Sequence, residues 1–391
     1  EMIRIKAAPG AQVLIARKGK IIYQKGVGHH TYHKKKPVLN TDIYDLASIT
    51  KVAATTVSLM KLYDDGLFDL NQTLGHYLPE VANTNKEDLL VRDILAHRAR
   101  LKPWIPFYKA TLVTVGRKRR HHRQRKILSK KIYRKKSSVG YSIPVAQGLF
   151  MKNSYLDSIW QRIYDSDLRQ SEGYRYSDLG FYLFNKVISD MTHTPENVYV
   201  KKEIYDPLQL STMTYLPLNY FDKQRIIPTE KDRYFRKETI QGYVHDMGAA
   251  MLGGVSGHAG LFSDSYDLAV LFQMLLNGGT YGGERILSQD VVRLFTQRVP
   301  EDTRRGLGFD LKELAPSKTY PKRKENMSPL ASPSTFGHLG FTGTCVWADP
   351  ENDLIYIFLS NRTYPSMHNG KLNRADIRPR IQSAIYRALL D

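Results

Sequence analysis

Ser48 and Lys51 are the residues of this chain whose types and spacing most directly suggest chemistry. Two residues three apart on a helix share a face, so the hydroxyl and the amine can meet. A serine hydroxyl is a weak nucleophile at neutral pH, and a lysine with a lowered pKa can be its base. If the helix begins at Ser48, its dipole also favours negative charge at that end. The pair therefore predicts nucleophilic attack on a carbonyl group.

A second serine–lysine pair, Ser58 and Lys61, follows on the same predicted helix. Ser58 would lie about three turns inside that helix, where it meets no free backbone N–H groups. We therefore expect Ser48, and not Ser58, to be the nucleophile.

Tyr176 and Asp178 precede an apolar helical run and could complete the site. A tyrosine beside a serine–lysine pair can relay a proton once nearby cations lower the pKa of its phenol. The acid two residues later would face Lys51 or the substrate. The same residues also fit an ordinary helix N-terminus, with Ser177 or Asp178 as the cap.

The segment Gly337–Gly343 precedes a predicted C-terminal hairpin. Its glycines would let a substrate approach the backbone closely, and an edge strand offers N–H groups to an acyl group. His338 is then a candidate cation or proton partner. The alternative is an edge strand softened by glycine that carries a structural histidine.

Two other patterns suggest a nucleophile or a general base, and both are weaker. The run Gly254–His258 nearly spells the G-x-S-x-G elbow around Ser256, but a histidine replaces the second glycine and no strand precedes it. His245 and Asp246 are adjacent and so point in different directions, which favours a structural polar pair near the site.

No metal or other cofactor is predicted. His29, His30 and His33 could form a metal cluster, but the adjacent run Lys34–Lys36 would repel a cation. Cys345 is the only cysteine, which excludes an internal disulfide and a cysteine-based zinc site.

The net charge of +20 over 391 residues is concentrated in one segment. Arg117–Lys136 holds twelve Lys or Arg residues and no acid, so the rest of the chain stands near 20 − 12 = +8. We expect this segment to be a solvated loop, with contact to an anionic polymer as the alternative. No nucleic-acid motif accompanies it, so nucleic acid is an unlikely partner. The sequence contains no transmembrane segment and no signal-peptide region.

The predicted elements place strands at both ends of the chain. One hairpin covers residues 12–26 and another covers residues 344–359, and a helix from about Ile377 to Leu390 follows. The sequence between the hairpins reads as mainly helices and loops. We therefore predict one antiparallel sheet assembled from both chain ends, flanked by helices, with an inserted helical lobe.

In chain order, the motifs at Ser48–Lys51, Tyr176–Asp178 and His338–Gly340 resemble those of the serine β-lactamase and penicillin-binding-protein superfamily. The likeness is closest to the class C β-lactamase and esterase branch, with its S-x-x-K, Y-x-N and K-T-G or H-x-G motifs. It extends to Gly66–Leu70, Tyr77–Glu80, Val91–His97 and Gly253–Ser263.

The resemblance implies an α/β (α+β) fold of the β-lactamase/transpeptidase type in a single catalytic domain, residues 1–391. The sheet lobe would comprise about residues 1–75 and 240–391. The helical lobe would comprise about residues 76–239, including the basic loop 116–138.

The resemblance also implies residue roles. Ser48 matches the acylated nucleophile, Lys51 its base and Tyr176 the proton-shuttling tyrosine, and His338 joins them as a catalytic residue. Phe341 would supply a backbone N–H group to the oxyanion hole together with Ser48. The residues implied to contact the substrate are Trp104, Asp178, Gly340 and Phe341.

Four positions depart from the pattern of that family. Asp178 stands where asparagine is common, His338 where β-lactamases usually have lysine, and Leu339 where a hydroxyl residue helps to hold a substrate carboxylate. Arg100 replaces a glycine of the turn after a helix. These changes leave acyl transfer intact but weaken the case for strong β-lactam recognition.

Three segments resemble the β-lactamase-like module fused to some bacterial glycoside hydrolase family 3 β-N-acetylhexosaminidases. They are Trp104–Tyr108, Val244–Asp246 and Gly337–Thr344. This resemblance implies an upstream glycosidase domain as a partner, and no glycosidase activity in this chain.

Two functions follow from these observations. The first is a serine hydrolase that forms an acyl-enzyme with an amide, ester or lactam carbonyl of a small-molecule or peptidoglycan-like substrate. The alternative is a catalytically weak module that binds cell-wall peptide for a larger envelope enzyme. The family resemblance implies the periplasm or the cell envelope as the location.

Overall fold

A computed structural model describes residues 1–115, 125–300, 304–315 and 325–390. Its strands are β1 (Gly10–Arg17), β2 (Lys20–Gly28), β3 (Tyr44–Asp45), β4 (Leu112–Val115), β5 (Arg125–Leu128), β6 (Tyr133–Arg134), β7 (Ile143–Ala146), β8 (Leu149–Met151), β9 (Thr214–Tyr215), β10 (Glu230–Lys231), β11 (Thr239–Ile240), β12 (Leu261–Ser263), β13 (Thr280–Tyr281), β14 (Glu284–Arg285), β15 (Asp310–Leu311), β16 (Phe336–Leu339), β17 (Cys345–Asp349) and β18 (Leu354–Ser360).

The α-helices of the described residues alternate with shorter helical turns. They are α1 (Val57–Asp64), α2 (Leu74–Tyr77), α3 (Val91–Leu95), α4 (Tyr155–Tyr164), α5 (Leu179–Thr192), α6 (Glu196–Val200), α7 (Met247–Met251), α8 (Ser265–Leu276), α9 (Gln289–Thr296), α10 (Lys371–Arg374) and α11 (Ile377–Leu390). None of these helices is both long and apolar enough to cross a membrane.

The central sheet joins the two ends of the chain, as predicted. Its six strands run in the order β15-β16-β17-β18-β1-β2, and every neighbouring pair is antiparallel. Strand β1 pairs with β18, so that the N-terminal and C-terminal hairpins lie side by side.

Helices cover both faces of this sheet. Leu14 and Ile357 are cross-strand partners in the core that includes residues of α8, whereas Val13 and Phe358 pair on the opposite face with residues of α11. Successive strand residues point to opposite faces, so a strand covered on both sides is apolar throughout. All seven residues of β18 are accordingly buried.

The region between the hairpins is mainly helices and loops, as predicted, but it also contains the short strands β3 to β16. Most are strands of two to four residues that pair in small sheets. The described part of the basic segment is likewise not a plain loop, since β5 pairs with β4 and β6 pairs with β8. Residues 116–124 of that segment lie outside the described residues. The division into a sheet lobe and a helical lobe stays a prediction.

Candidate active site

Ser48 lies on a tight turn between β3 and a long helical segment. A 3-10 helix (Ala47–Ile49) holds the serine, and a π-helical turn (Lys51–Thr56) then leads into α1. The helix therefore does not begin as a regular α-helix at Ser48. Ala47 has φ +49°, a left-handed conformation that costs a residue with a Cβ atom about 1–2 kcal/mol. Its N–H donates to Asp45 Oδ1 at 2.8 Å, which holds the turn in place.

Two threonines tie this turn to the edge of the central sheet. Thr342 Oγ1 donates to the carbonyl of Asp45 at 2.8 Å, and Thr344 Oγ1 donates to the carbonyl of Leu46 at 3.1 Å. A Cβ atom at Gly340 would come within 1.9 Å of Thr344 Oγ1 and 2.4 Å of the Leu46 carbonyl oxygen. This position therefore needs glycine, because the chains pass too closely for a side chain.

Lys51 is fully buried and its ammonium has three partners. Nζ donates to Ser48 Oγ at 3.1 Å, to Asp178 Oδ1 at 2.7 Å and to the carbonyl of His258 at 3.1 Å. Burial lowers the pKa of Lys51, but the Asp178 carboxylate and the Tyr176 phenol raise it by more, so the net pKa lies above its usual value. The predicted lowered pKa is therefore wrong for the free protein.

Tyr176 is packed beside this pair, against the ring of His97, whose centroid is 4.5 Å away. Lys51 Nζ lies 5.0 Å from the Tyr176 ring centroid, and the phenol oxygen is buried with no hydrogen bond of ordinary geometry. Burial raises the pKa of Tyr176 to about 12, although the Lys51 ammonium opposes this shift. The expectation that cations lower this pKa is wrong, because burial outweighs the single nearby ammonium.

His338 lies behind Tyr176, with 5.9 Å between the ring centroids. It is 2% exposed, its Nδ1 lies 2.6 Å from the Leu339 carbonyl oxygen, and Nε2 has no partner. Burial lowers the pKa of His338 to about 4, and Asp310 opposes this only in part. His338 is therefore neutral at pH 7, so the predicted role as a cation is wrong and the predicted role as a proton partner stays a prediction.

The lowered pKa of His338 predicts a loss of stability in acid. Between pH 6.5 and about 4 the histidine gains a proton in the unfolded chain but not in the folded one. Folding therefore loses about 2–3 kcal/mol from this group as the pH falls through that window. We expect His338→Asn to remove most of this loss, measured by urea unfolding at pH 7 and pH 4.5. An unchanged difference between the two pH values would contradict the assignment.

Ser256, His258 and Asp246 form a hydrogen-bonded chain that resembles a catalytic triad. Ser256 Oγ lies 2.9 Å from His258 Nδ1, and His258 Nε2 lies 2.9 Å from Asp246 Oδ1. Ser256 is fully buried, so no substrate can reach its hydroxyl. The His258 ring also stacks on Tyr182 at 4.1 Å. These three hydrogen-bonded side chains instead hold the backbone at His258, whose carbonyl accepts a hydrogen bond from Lys51 Nζ.

His245 and Asp246 do not pair with each other. His245 Nε2 lies 2.9 Å from Glu230 Oε2, and the His245 ring stacks on Phe341 at 5.6 Å. The guanidinium of Arg362 lies 4.5 Å from the same Phe341 ring centroid. Phe341 is thereby held in place while 51% of it remains exposed.

Ser48 opens into a cavity of about 470 Å³, a size typical of small-molecule sites. Trp104, Tyr176, Asp178 and Phe341 line it, whereas Lys51, His338 and Gly340 lie behind the wall. Further lining residues are Ala47, Ile105, Pro106, Phe107, Tyr108, Tyr182, His245, Asp246, Met247, Gly248, His258, Ala259, Met367 and His368. A larger cavity of about 710 Å³ between α8, α9 and β16 contains none of the predicted site residues.

Sequence reasoning misses part of this site. His97 belongs to a helix motif in the sequence, and nothing in that motif indicates that it supports Tyr176 from behind. His258 stands out in the sequence only as a disruption of the G-x-S-x-G pattern, and its contact with Asp246 joins residues twelve apart, across α7 and the turns that follow it. No local pattern reveals that contact.

Comparison with known proteins shows the family of this chain. The sequence model of the Beta-lactamase family matches residues 2–378. A protein of Salmonella agona (strain SL483) named "Putative D-alanyl-D-alanine carboxypeptidase" is 32% identical over 399 residues, which covers 93% of this chain and 81% of that protein.

Solved structures share the fold at lower identity. EstCE1, a hydrolase with promiscuous acyltransferase activity, superposes with a TM-score of 0.63 at 20% identity, covering 94% of each chain. The octameric penicillin-binding protein homologue from Pyrococcus abyssi gives 0.62 at 18% identity, covering 97% of this chain and 76% of that one. The chain therefore belongs to the Beta-lactamase family and is a serine hydrolase of the acyl-enzyme type.

Proposed function

We propose that Ser48 is the nucleophile and that it attacks the carbonyl carbon of an ester, amide or lactam. The observation that carries this assignment is the 3.1 Å contact between Ser48 Oγ and Lys51 Nζ at the wall of the cavity. The bond from Ser48 Oγ to the carbonyl carbon forms, and the bond to the leaving group breaks. Water then hydrolyses the acyl-enzyme and releases the acid.

The neutral form of Lys51 is the base in this proposal. It accepts the proton of Ser48, Tyr176 donates its own proton to the leaving group, and the Lys51 ammonium then returns a proton to the Tyr176 phenolate. With a pKa of about 12, Tyr176 keeps its proton at neutral pH and can donate it. The backbone N–H groups of Ser48 and Phe341 are the proposed oxyanion donors, and Trp104, Asp178 and Gly340 form or support the substrate walls.

The experiment that tests this function uses a neutral, activated ester. We expect p-nitrophenyl acetate to be hydrolysed with transient transfer of one acetyl group to Ser48, detected by intact mass and peptide mapping. Hydrolysis without an acetylated intermediate on Ser48 would contradict the proposal.

A binding module with weak catalysis is the second candidate. One observation favours it, namely that the pKa of Lys51 lies above its usual value, so that little neutral amine exists at pH 7. The D-alanyl-D-alanine in the name of the Salmonella relative supports a peptidoglycan-like substrate and a place in the periplasm or cell envelope under either function. The upstream glycosidase domain stays a prediction.

The basic segment should not take part in ester hydrolysis. Its exposed residues Lys130, Lys131, Lys135 and Lys136 do not line the cavity. We expect the joint replacement of these four residues by glutamine to leave kcat/KM for p-nitrophenyl acetate within about twofold, because exposed charges outside a site are screened by salt. A fall beyond tenfold would place this segment in the site.

A further inference from the structure

The charges that line the Ser48 cavity are negative. Asp178 and Asp246 are its acidic lining residues, and among the described lining residues there is no lysine or arginine. Burial raises the pKa of Asp246, but His258 and the N–H of Ala249 together hold it well below its usual range. Asp246 is therefore ionised at neutral pH.

Two cations that contact lining residues of the cavity, Lys51 and Arg362, have partners within the protein. Lys51 is fully buried and its ammonium is paired with Asp178. Arg362 is 7% exposed, and its Nη1 donates to the carbonyls of Met367 and Asn369 at 3.2 and 3.0 Å. Its guanidinium also faces the Phe341 ring. The three donors of Lys51 and the Nη1 group of Arg362 are thus engaged within the protein.

The strand beside Ser48, β16, also gives a substrate carboxylate few hydrogen-bond donors. His338 is buried and donates towards its own strand, and the next side chain, Leu339, is apolar. Two aromatic lining residues, Trp104 and Phe341, expose 55% and 51% of their surfaces. Aromatic faces attract cations and stack on neutral groups, but they do not attract anions.

We propose that this cavity selects carbonyl substrates that are neutral or positively charged around the scissile bond, and that Asp246 disfavours substrates with a free carboxylate there, since the Asp178 charge is balanced by Lys51. The inference rests on the proposed function of Ser48 and narrows its substrate class. A like charge in a desolvated site is repelled, whereas an ammonium group is attracted. A peptide with a free C-terminal carboxylate on the leaving group, such as one ending in D-alanyl-D-alanine, should accordingly be a poor substrate, so a peptidoglycan-like substrate of this protein would need a neutral or cationic leaving group.

Three penicillins of nearly equal shape test this proposal, measured as inhibitors of p-nitrophenyl acetate hydrolysis at low ionic strength. Benzylpenicillin carries a carboxylate, its methyl ester is neutral, and its diethylaminoethyl ester carries an ammonium group. We expect both esters to inhibit at concentrations about tenfold or more below that of the free acid. Added salt should bring the inhibitory concentrations of the free acid and the two esters closer together in the wild-type protein, since salt screens charge. Equal inhibition, preference for the free acid, or no inhibition by any of the three would overturn the proposal.

Substitutions locate the origin of the selectivity. Asp246→Asn should reduce the ratio between the inhibitory concentrations of the free acid and of its esters. Asp157→Asn should leave this ratio unchanged, because Asp157 is exposed on α4 and lies outside the cavity. A preference for the free acid that disappears in Arg362→Gln would assign carboxylate binding to Arg362 and refute the inference. Failure of the proposed function is distinct, because ester hydrolysis would then survive Ser48→Ala.

Discussion

Ser48→Ala should lower kcat/KM for p-nitrophenyl acetate by about a thousandfold or more and abolish the acetylated intermediate. The substitution removes the only atom that the proposal allows to bond to the carbonyl carbon, while the Lys51–Asp178 ion pair at 2.7 Å stays in place. Activity is measured by release of p-nitrophenol, and acetylation by intact mass. The folded state is checked by thermal unfolding of the same sample.

Two matched serines serve as controls for this result. Ser58 belongs to the second serine–lysine pair, but it is fully buried and its Oγ donates to the Ala54 carbonyl at 2.8 Å. Ser58→Ala should therefore leave turnover nearly unchanged. Ser256→Ala should cost about 1–3 kcal/mol of stability, because it leaves His258 Nδ1 unpaired, yet acetylation should persist. Retention of acetylation in Ser48→Ala with its loss in Ser256→Ala would reverse the assignment.

Local patterns are sufficient to predict the main elements of the fold. The apolar runs at the two chain ends predict the strands β1, β2, β17 and β18, and the C-terminal helix has the predicted bounds Ile377–Leu390. The missed strands, such as β6 and β9, are two residues long. A strand of this length depends on its pairing partner and not on its own propensity, so its sequence carries no periodic signal.

The residue types of the site are also predictable from the sequence, but their ionisation is not. Spacing and resemblance are enough to group Ser48, Lys51 and Tyr176 in one site. The pKa of Lys51 depends on Asp178, which lies 127 residues away in the sequence, and on the depth at which both are buried.

The backbone conformation at Arg100 is likewise not predictable from its residue type. Arg100 replaces a glycine of the family pattern and still has φ +59°, so the turn has kept its left-handed shape without the residue that favours it.

Asp178→Asn should move the pH dependence of ester hydrolysis to lower pH. The Asp178 carboxylate is the largest influence that raises the pKa of Lys51 against the effect of burial. A neutral amide in its place can still accept a hydrogen bond from Lys51 Nζ but no longer stabilises the ammonium. The midpoint of the rising limb in kcat/KM should therefore fall by about one pH unit or more, which raises activity at pH 7 by about tenfold.

Asp65→Asn is the matched control for this experiment, because Asp65 pairs with Lys61 of the second serine–lysine motif on the exposed end of α1. It should leave the pH profile unchanged.

The Asp178 result also separates two roles of the carboxylate. If Asp178 is itself the final acceptor of the Ser48 proton, Asp178→Asn will lose activity at every pH and the midpoint will not move. If the carboxylate instead keeps Lys51 protonated, as we propose, the variant gains activity at neutral pH, because more of the protein then holds Lys51 as the free amine.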